Sequence, residues 1–180
     1  ETMEAKYDSL FAVHDSLQGE FGNLEGEFNK QTGLNQELTS ENMNLANKVA
    51  MGSVLTAYKI AVEGVRGKKE KVNNKASRIE KLRTCFTVSE NPIAKAGTKT
   101  VYIRIVGPDG KVLTKGRGEE FEFEGGSMTY SVSKEMEYTN EQQDLCLYYL
   151  APTTKFVSGK HTIEIYVDKA LIGTAAVSLR

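Results

Sequence analysis

Histidine and cysteine are nearly absent from this sequence, with two of each in 180 residues. His14, Cys85, Cys146 and His161 are scattered, so a zinc site of ordinary ligand spacing is excluded. The spacing yields no Ser/His/Asp or Cys/His constellation either. No run of about 18 apolar residues occurs, so nothing in these residues is expected to span a membrane as a helix. Prolines number three, and Pro92, Pro108 and Pro152 all fall in expected loops. A glycine-rich phosphate loop is lacking, because Gly125-Gly126 stands between two strands rather than ahead of a helix. Net charge is only −1, so the whole molecule advertises no polyanion or polycation partner. No cofactor is expected, no metal site, and no small-molecule substrate is identified.

What is present is a repeat. Met3, Tyr7, Leu10, His14, Leu17, Phe21, Leu24, Phe28, Gln31, Asn35, Leu38, Asn42, Leu45 and Val49 recur every three and four positions. A 3.5-residue period held this long predicts a helix packed in a seam against another helix. At 1.5 Å per residue that helix is roughly 70 Å long, so residues 1–51 read as a coiled-coil stalk. With the Leu10 series at d and the Phe21 series at a, leucine at d suits a parallel dimer. Asn35 and Asn42 fall at a, where a buried amide pairs best with the same residue of a parallel second chain. The expected oligomer seam is therefore Leu10, Leu17, Phe21, Leu24, Phe28, Asn35, Leu38, Asn42 and Leu45. Several features oppose a tight dimer. Phe21 and Phe28 are bulky, Phe11, Val13 and Leu34 widen the stripe, and Glu20 would face Glu25 of the partner. Gly19, Gly22, Gly26 and Gly33 avoid the seam, yet each costs about 1 kcal/mol against alanine. A homo-oligomer with a parallel dimer favoured is the expectation; a trimer or packing within one chain stays open. The chain opens at Glu1 already in heptad phase, which reads as a truncated or processed fragment with a signal or anchor expected upstream.

After Val49 the phase slips at Gly52. Residues 54–66 thread either a new heptad register or a strand, and β-branched and aromatic composition favours the strand. Charge is split: residues 1–45 carry nine acidic and two basic side chains, and 46–83 carry ten basic and three acidic. The stretch 67–80 reads as a polar loop with a turn at Asn73-Asn74. Its basic neighbourhood (Arg66, Lys68, Lys69, Lys71, Lys75, Arg78, Lys81, Arg83) offers grip on phosphates. With no aromatic for base stacking, a solvated loop is the plainer reading and nucleic acid is not the expected partner.

From Lys81 onward the period is two. Leu82, Phe86 and Val88 alternate with Arg83, Cys85 and Thr87. KTVYIRIVG (99–107) and KVLT (111–114) flank a Pro108-Asp109-Gly110 turn. EFEFE (120–124) follows with Phe121 and Phe123 inward, then SMTYSVSKEMEY (127–138) as one strand. DLCLYYLA (144–151) and HTIEIYV (161–167) come next, and a turn at Asp168-Lys169 leads to LIGTAAVSLR. Eight or nine short strands predict an antiparallel, immunoglobulin-like β-sandwich over residues 52–180, segregated from the helix and able to fold alone.

The runs KLRTCFTVSENPIAKAGTKTVYIRIVGPDGKVL and GKHTIEIYVDKALIGTAAVSLR resemble an uncharacterised bacterial family of membrane-anchored coiled-coil proteins with a C-terminal β-sandwich. Chromosome partition or segregation protein is a common label for such chains. The resemblance covers roughly residues 46–180 and implies that AYKIAVEGVR belongs to the sandwich. It also implies an N-terminal anchor, hence a place in the bacterial cell envelope on the periplasmic side. It brings no catalytic residues.

Individual candidates read plainly. His14 sits at an a position, where it is tolerated, or senses pH as a seam pair. His161 opens a strand as a surface residue. Glu119–Glu124 is a solvated strand face rather than a calcium site. Tyr148, Tyr149 and Phe156 are core side chains before they are a ligand platform. Cys85 and Cys146 have the separation of an immunoglobulin-type bridge, but Cys85 shares parity with Arg83 and Thr87 and points outward, so two free thiols are expected. Two cysteines do not decide a compartment. The leading expectation is a structural or interaction protein, not an enzyme: a stalk presenting a β-sandwich that binds an unknown protein partner. An envelope glycan- or ligand-binding module is the alternative, and a DNA-associated, partition-like role is third.

Overall fold

The computed structural model describes residues 2–115, 118–151 and 156–180. One long N-terminal helix is followed by antiparallel β-sheets. Pro152 lies outside the described residues, as does Glu1.

Helix α1 runs Met3–Gly52, 50 residues without proline, about 75 Å at 1.5 Å per residue. It stops where the heptad phase slips. Ser53 Oγ donates to Ala50 O at 2.8 Å, and Asn91 Nδ2 donates to Gly52 O at 2.8 Å and to Val54 O at 3.2 Å. Carbonyls that the last helical turn leaves open are thus satisfied by side chains. No residue of α1 is buried. The chain divides into two compact units, Glu1–Val49 and Ala50–Arg180.

In the second unit the strands are β1 (Ala57–Arg66), β2 (Lys71–Val72), β3 (Lys81–Val88), β4 (Gly97–Val106), β5 (Glu119–Phe123), β6 (Gly126–Tyr130), β7 (Val132–Tyr138), β8 (Gln143–Leu150), β9 (Gly159–Val167) and β10 (Ala170–Leu179). They form two four-stranded sheets, β2-β1-β3-β8 and β10-β9-β4-β7, and a β5-β6 pair. All pairings are antiparallel. The stretch after α1 is therefore strand, as its β-branched composition indicates.

Both four-stranded sheets supply one core. Leu82, Phe86, Leu147 and Tyr149 come from the first, and Val101, Ile103, Ile163 and Ile165 from the second. Alternation along β3 and β4 sets these residues on a single face. Gly64 is required by this packing, since a Cβ there would stand 2.7 Å from Asn73 O and 2.7 Å from Ile79 Cγ2. Replacing Gly64 with alanine is expected to lower the unfolding free energy by about 2 kcal/mol, the scale of core overpacking. Urea denaturation checks this.

Three expectations need correction. The run 127–138 is not one strand. It breaks at Ser131, whose N–H donates to Ile103 O at 2.8 Å while its Oγ accepts from Ile105 N at 2.9 Å. The side chain thereby replaces a ladder partner, and the chain passes from the β5-β6 hairpin into the sheet of β4. KVLT contributes only the bridge Val106↔Val112, although the turn holds through Gly107 N–H to Lys111 O at 2.8 Å. The third concerns the cysteines: they are not free thiols but a disulfide, with Cα atoms 4.1 Å apart. Cys85 does lie on the outer face, yet Cys146 of β8 is its direct register partner. Residues opposed on neighbouring strands are close enough to bridge without entering a core.

Candidate functional site

Because α1 is continuous, the heptad spacing gathers the expected seam onto one side. Leu10, Leu17, Phe21, Leu24 and Phe28 are each 65–71% exposed, and Leu38 and Leu45 are 55% and 52% exposed. Asn35 and Asn42 lie in the same row and are exposed. Beside the row, Thr32 and Thr39 donate their hydroxyls to Phe28 O and Asn35 O at 2.8 and 2.7 Å. His14 is likewise exposed. The row is therefore an exposed apolar stripe along α1. No helix among the described residues is long and apolar enough to cross a membrane.

On the β unit, the basic neighbourhood divides into two populations. Lys81 and Arg83 belong to an ion network on the outer face of β3. Lys81 Nζ is 2.6 Å from Glu70 Oε1, and Arg83 bonds Glu70 at 3.1 Å and Glu63 at 2.5 Å. Lys81 also stands over the Tyr148 ring, 4.5 Å from its centroid. The hydrogen bond from Lys81 holds the Glu70 carboxyl below its ordinary range. Lys68, Lys69, Lys71, Lys75 and Arg78 are exposed.

The acidic run is engaged locally. Glu122 pairs with Lys169 at 2.6 Å, Glu120 accepts from Ser127 Oγ at 2.9 Å, and Glu119 accepts from the Tyr130 hydroxyl. Among the described residues no three His, Cys, Asp or Glu side chains gather as metal ligands. Phe121 does point inward, but into a separate aromatic stack on the outer side of β4 and β9, 4.5 Å from Tyr102 and 5.2 Å from Tyr166. Tyr148 and Tyr149 face opposite sides of β8, so the supposed platform is split. Tyr149 joins Phe156 in the core.

His161 departs furthest from its expected place. It is fully buried, not a surface residue. It shares parity with Ile163, Ile165 and Val167, all buried, and that alternation was the signal available. Its Nδ1 is 3.3 Å from Gly159 O, its ring packs edge-on to Phe156, and among the described residues Nε2 has no hydrogen-bond partner. It lines a cleft of about 380 Å³ together with Pro108, Asp109, Leu113, Tyr149 and Phe156. Burial pushes the imidazole below its usual 6.5, partly offset by the Gly159 carbonyl and Asp109. The unfolded chain therefore binds this proton more readily, and stability falls as pH drops below about 6.5 towards the lowered folded value. Thermal unfolding followed as pH is lowered from about 6.5 should show that decline in the wild type, and His161→Phe should flatten it.

Comparison with protein families places residues 58–180 in a domain of unknown function, DUF8428. The chain belongs to that family. The DUF8428 match spans nearly all of β1 and every later strand and leaves α1 outside it. Comparison with curated proteins gives no match. Among solved structures, the chain is similar to a Pseudomonas fluorescens alkylpurine DNA glycosylase bound to DNA containing an abasic site analog, at 19% identity and TM-score 0.41. That likeness covers 72% of this chain and 31% of the glycosylase, so the chain spans about a third of its length. The archaeal flagellum of Methanospirillum hungatei is similar over 99% of this chain and 93% of its own, at 13% identity and TM-score 0.42. An immunoglobulin-like protein from Pseudomonas aeruginosa is similar over 72% of this chain and 98% of its own, at 9% identity and TM-score 0.35. These likenesses bring no residue role or activity to DUF8428.

Proposed function

We propose that this chain is a non-enzymatic interaction protein. Its helix associates with a second copy as a parallel coiled coil, and an immunoglobulin-like sandwich is thereby presented to a protein partner. The observation that carries this reading is the bare heptad stripe. From Met3 at 85% exposure to Val49 at 55%, the apolar a and d residues have nothing over them. Leaving so much apolar surface in water is unfavourable by about 25 cal/mol per Å², and self-pairing of the stripe removes it. The single core shared by two four-stranded sheets supports the sandwich. The Cys85–Cys146 disulfide suits an oxidising compartment, in keeping with an envelope location and an upstream anchor.

Sedimentation velocity on the full chain tests the helix. The wild type should sediment as a concentration-dependent oligomer, and L17E/L24E, which puts charge in the seam, should be monomeric. A wild type that stays monomeric at high concentration overturns the reading. One observation favours a second reading, a ligand-binding module: the cleft beside His161 sits at loops between strands and offers aromatic walls.

A further inference from the structure

Charge is divided unequally along the chain. Residues 1–49 hold nine acidic and three basic side chains, while 50–180 hold twenty basic and fifteen acidic ones. Within the β unit the excess is concentrated at one end. β1 ends at Arg66, the chain turns through Gly67 at φ +69°, and β2 follows directly. Ten residues of strand put this end about 33 Å from Ala57, where the chain enters the sheet.

The two carboxylates among residues 66–80, Glu70 and Glu80, are already engaged. Glu70 is turned onto β3, where Lys81, Arg83 and the Tyr148 hydroxyl donate to it at 2.6, 3.1 and 3.2 Å. Glu80 accepts from Gly67 N–H at 3.1 Å and lies 3.8 Å from Arg66. Lys68, Lys69, Lys71, Lys75 and Arg78 are left exposed, and among the described residues no salt bridge reaches them. On α1 the situation mirrors this. Asp8, Asp15, Glu20, Glu25, Glu37 and Glu41 are exposed, and no ion pair among the described residues includes any of them.

We propose that the basic β1–β2 end of the β unit docks on the acidic helix α1 of a second copy, a contact separate from the a/d seam. Charge complementarity selects this occupant. Residues 66–78 contain no aromatic side chain on which a base could stack. A neighbouring copy supplies an exposed acidic rod at equal concentration. Because hairpin and helix are different surfaces, the contact is heterologous and can pass from copy to copy, so assemblies larger than the seam oligomer form as concentration rises. Exposed charges attract over roughly 10 Å at 0.1 M salt and far less at 1 M, so growth belongs to low ionic strength.

The test uses the full chain in sedimentation velocity at about 20 mM and about 500 mM sodium chloride. At low salt the wild type should form species larger than its high-salt form. K68E/K69E/K71E should weaken that low-salt association by about tenfold or more while leaving the high-salt size unchanged. Adding D8K/D15K/E37K, at b and c positions outside the seam, should restore it by swapping the charges. A triple variant that associates like the wild type at low salt overturns the proposal, and so does a charge swap that fails to restore association. A wild type that binds duplex DNA or anionic phosphatidylglycerol vesicles without self-associating also overturns it. The high-salt size reports the seam by itself, so a failure of the coiled coil is read separately. Every substituted side chain is exposed, and circular dichroism confirms that the fold is retained.

Discussion

Unfolding free energy should fall by about 4 kcal/mol when Cys85 and Cys146 are both replaced by alanine, measured by urea denaturation without reductant. The loop closed by this bridge has a sequence separation of 61. Cross-linking a loop of that length removes denatured-state entropy equivalent to about 4 kcal/mol, with measured values for native bridges near 2–5. The side chains sit on the outer face of β3 and β8, not in the core, so little apolar transfer is lost with the sulfurs. The effect should therefore reside in the denatured state and should be reproduced by reducing the wild type. Both forms should keep the native sheet signature by circular dichroism, because the core from Leu82 to Ile165 is untouched. A loss below about 1 kcal/mol would mean that the bridge is absent or that the denatured chain is already constrained.

This bridge also shows where local sequence reasoning stops. Parity along KLRTCFTV correctly turns Cys85 outward, because side-chain direction depends only on the strand to which a residue belongs. Which residue stands opposite is a property of register, and register between β3 and β8 is fixed by a pairing that spans some sixty residues of chain. Ser131 was illegible for a related reason. Alternation runs unbroken through Met128, Tyr130 and Val132, and nothing local marks a change of sheet when the serine side chain takes over the hydrogen bond of Ile105. His161 is a different case: its parity with Ile163, Ile165 and Val167 places it inward, and opening a strand does not by itself turn a side chain to solvent. Elements with long, uniform patterns were legible: α1 ends at Gly52, beside the phase slip, and β1 begins where β-branched residues take over. The heptad row is legible as an exposed side of α1.

Substituting isoleucine for both Asn35 and Asn42 should strengthen self-association of the full chain and broaden its stoichiometry. Both asparagines lie in the a row of an exposed stripe. When two stripes meet, each amide leaves water, a loss of about 1–3 kcal/mol unless it finds a partner. In a parallel, in-register pair that partner is the same amide on the other chain, and in staggered or antiparallel pairs it faces leucine or phenylalanine. The two positions thus select register and strand number at the expense of affinity. Isoleucine at a removes the desolvation and the selection together. Sedimentation equilibrium should show the wild type as a weak dimer near micromolar concentrations. The double variant should dissociate at least about tenfold less readily, as 1.4 kcal/mol or more of relief requires, with trimers or mixtures appearing. Phe21 and Phe28, bulky in a two-stranded seam, push the same way once the asparagines no longer oppose a third helix. If N35I/N42I keeps the wild-type affinity and size, the asparagines are not buried in the assembly, and the helix pairs through another face.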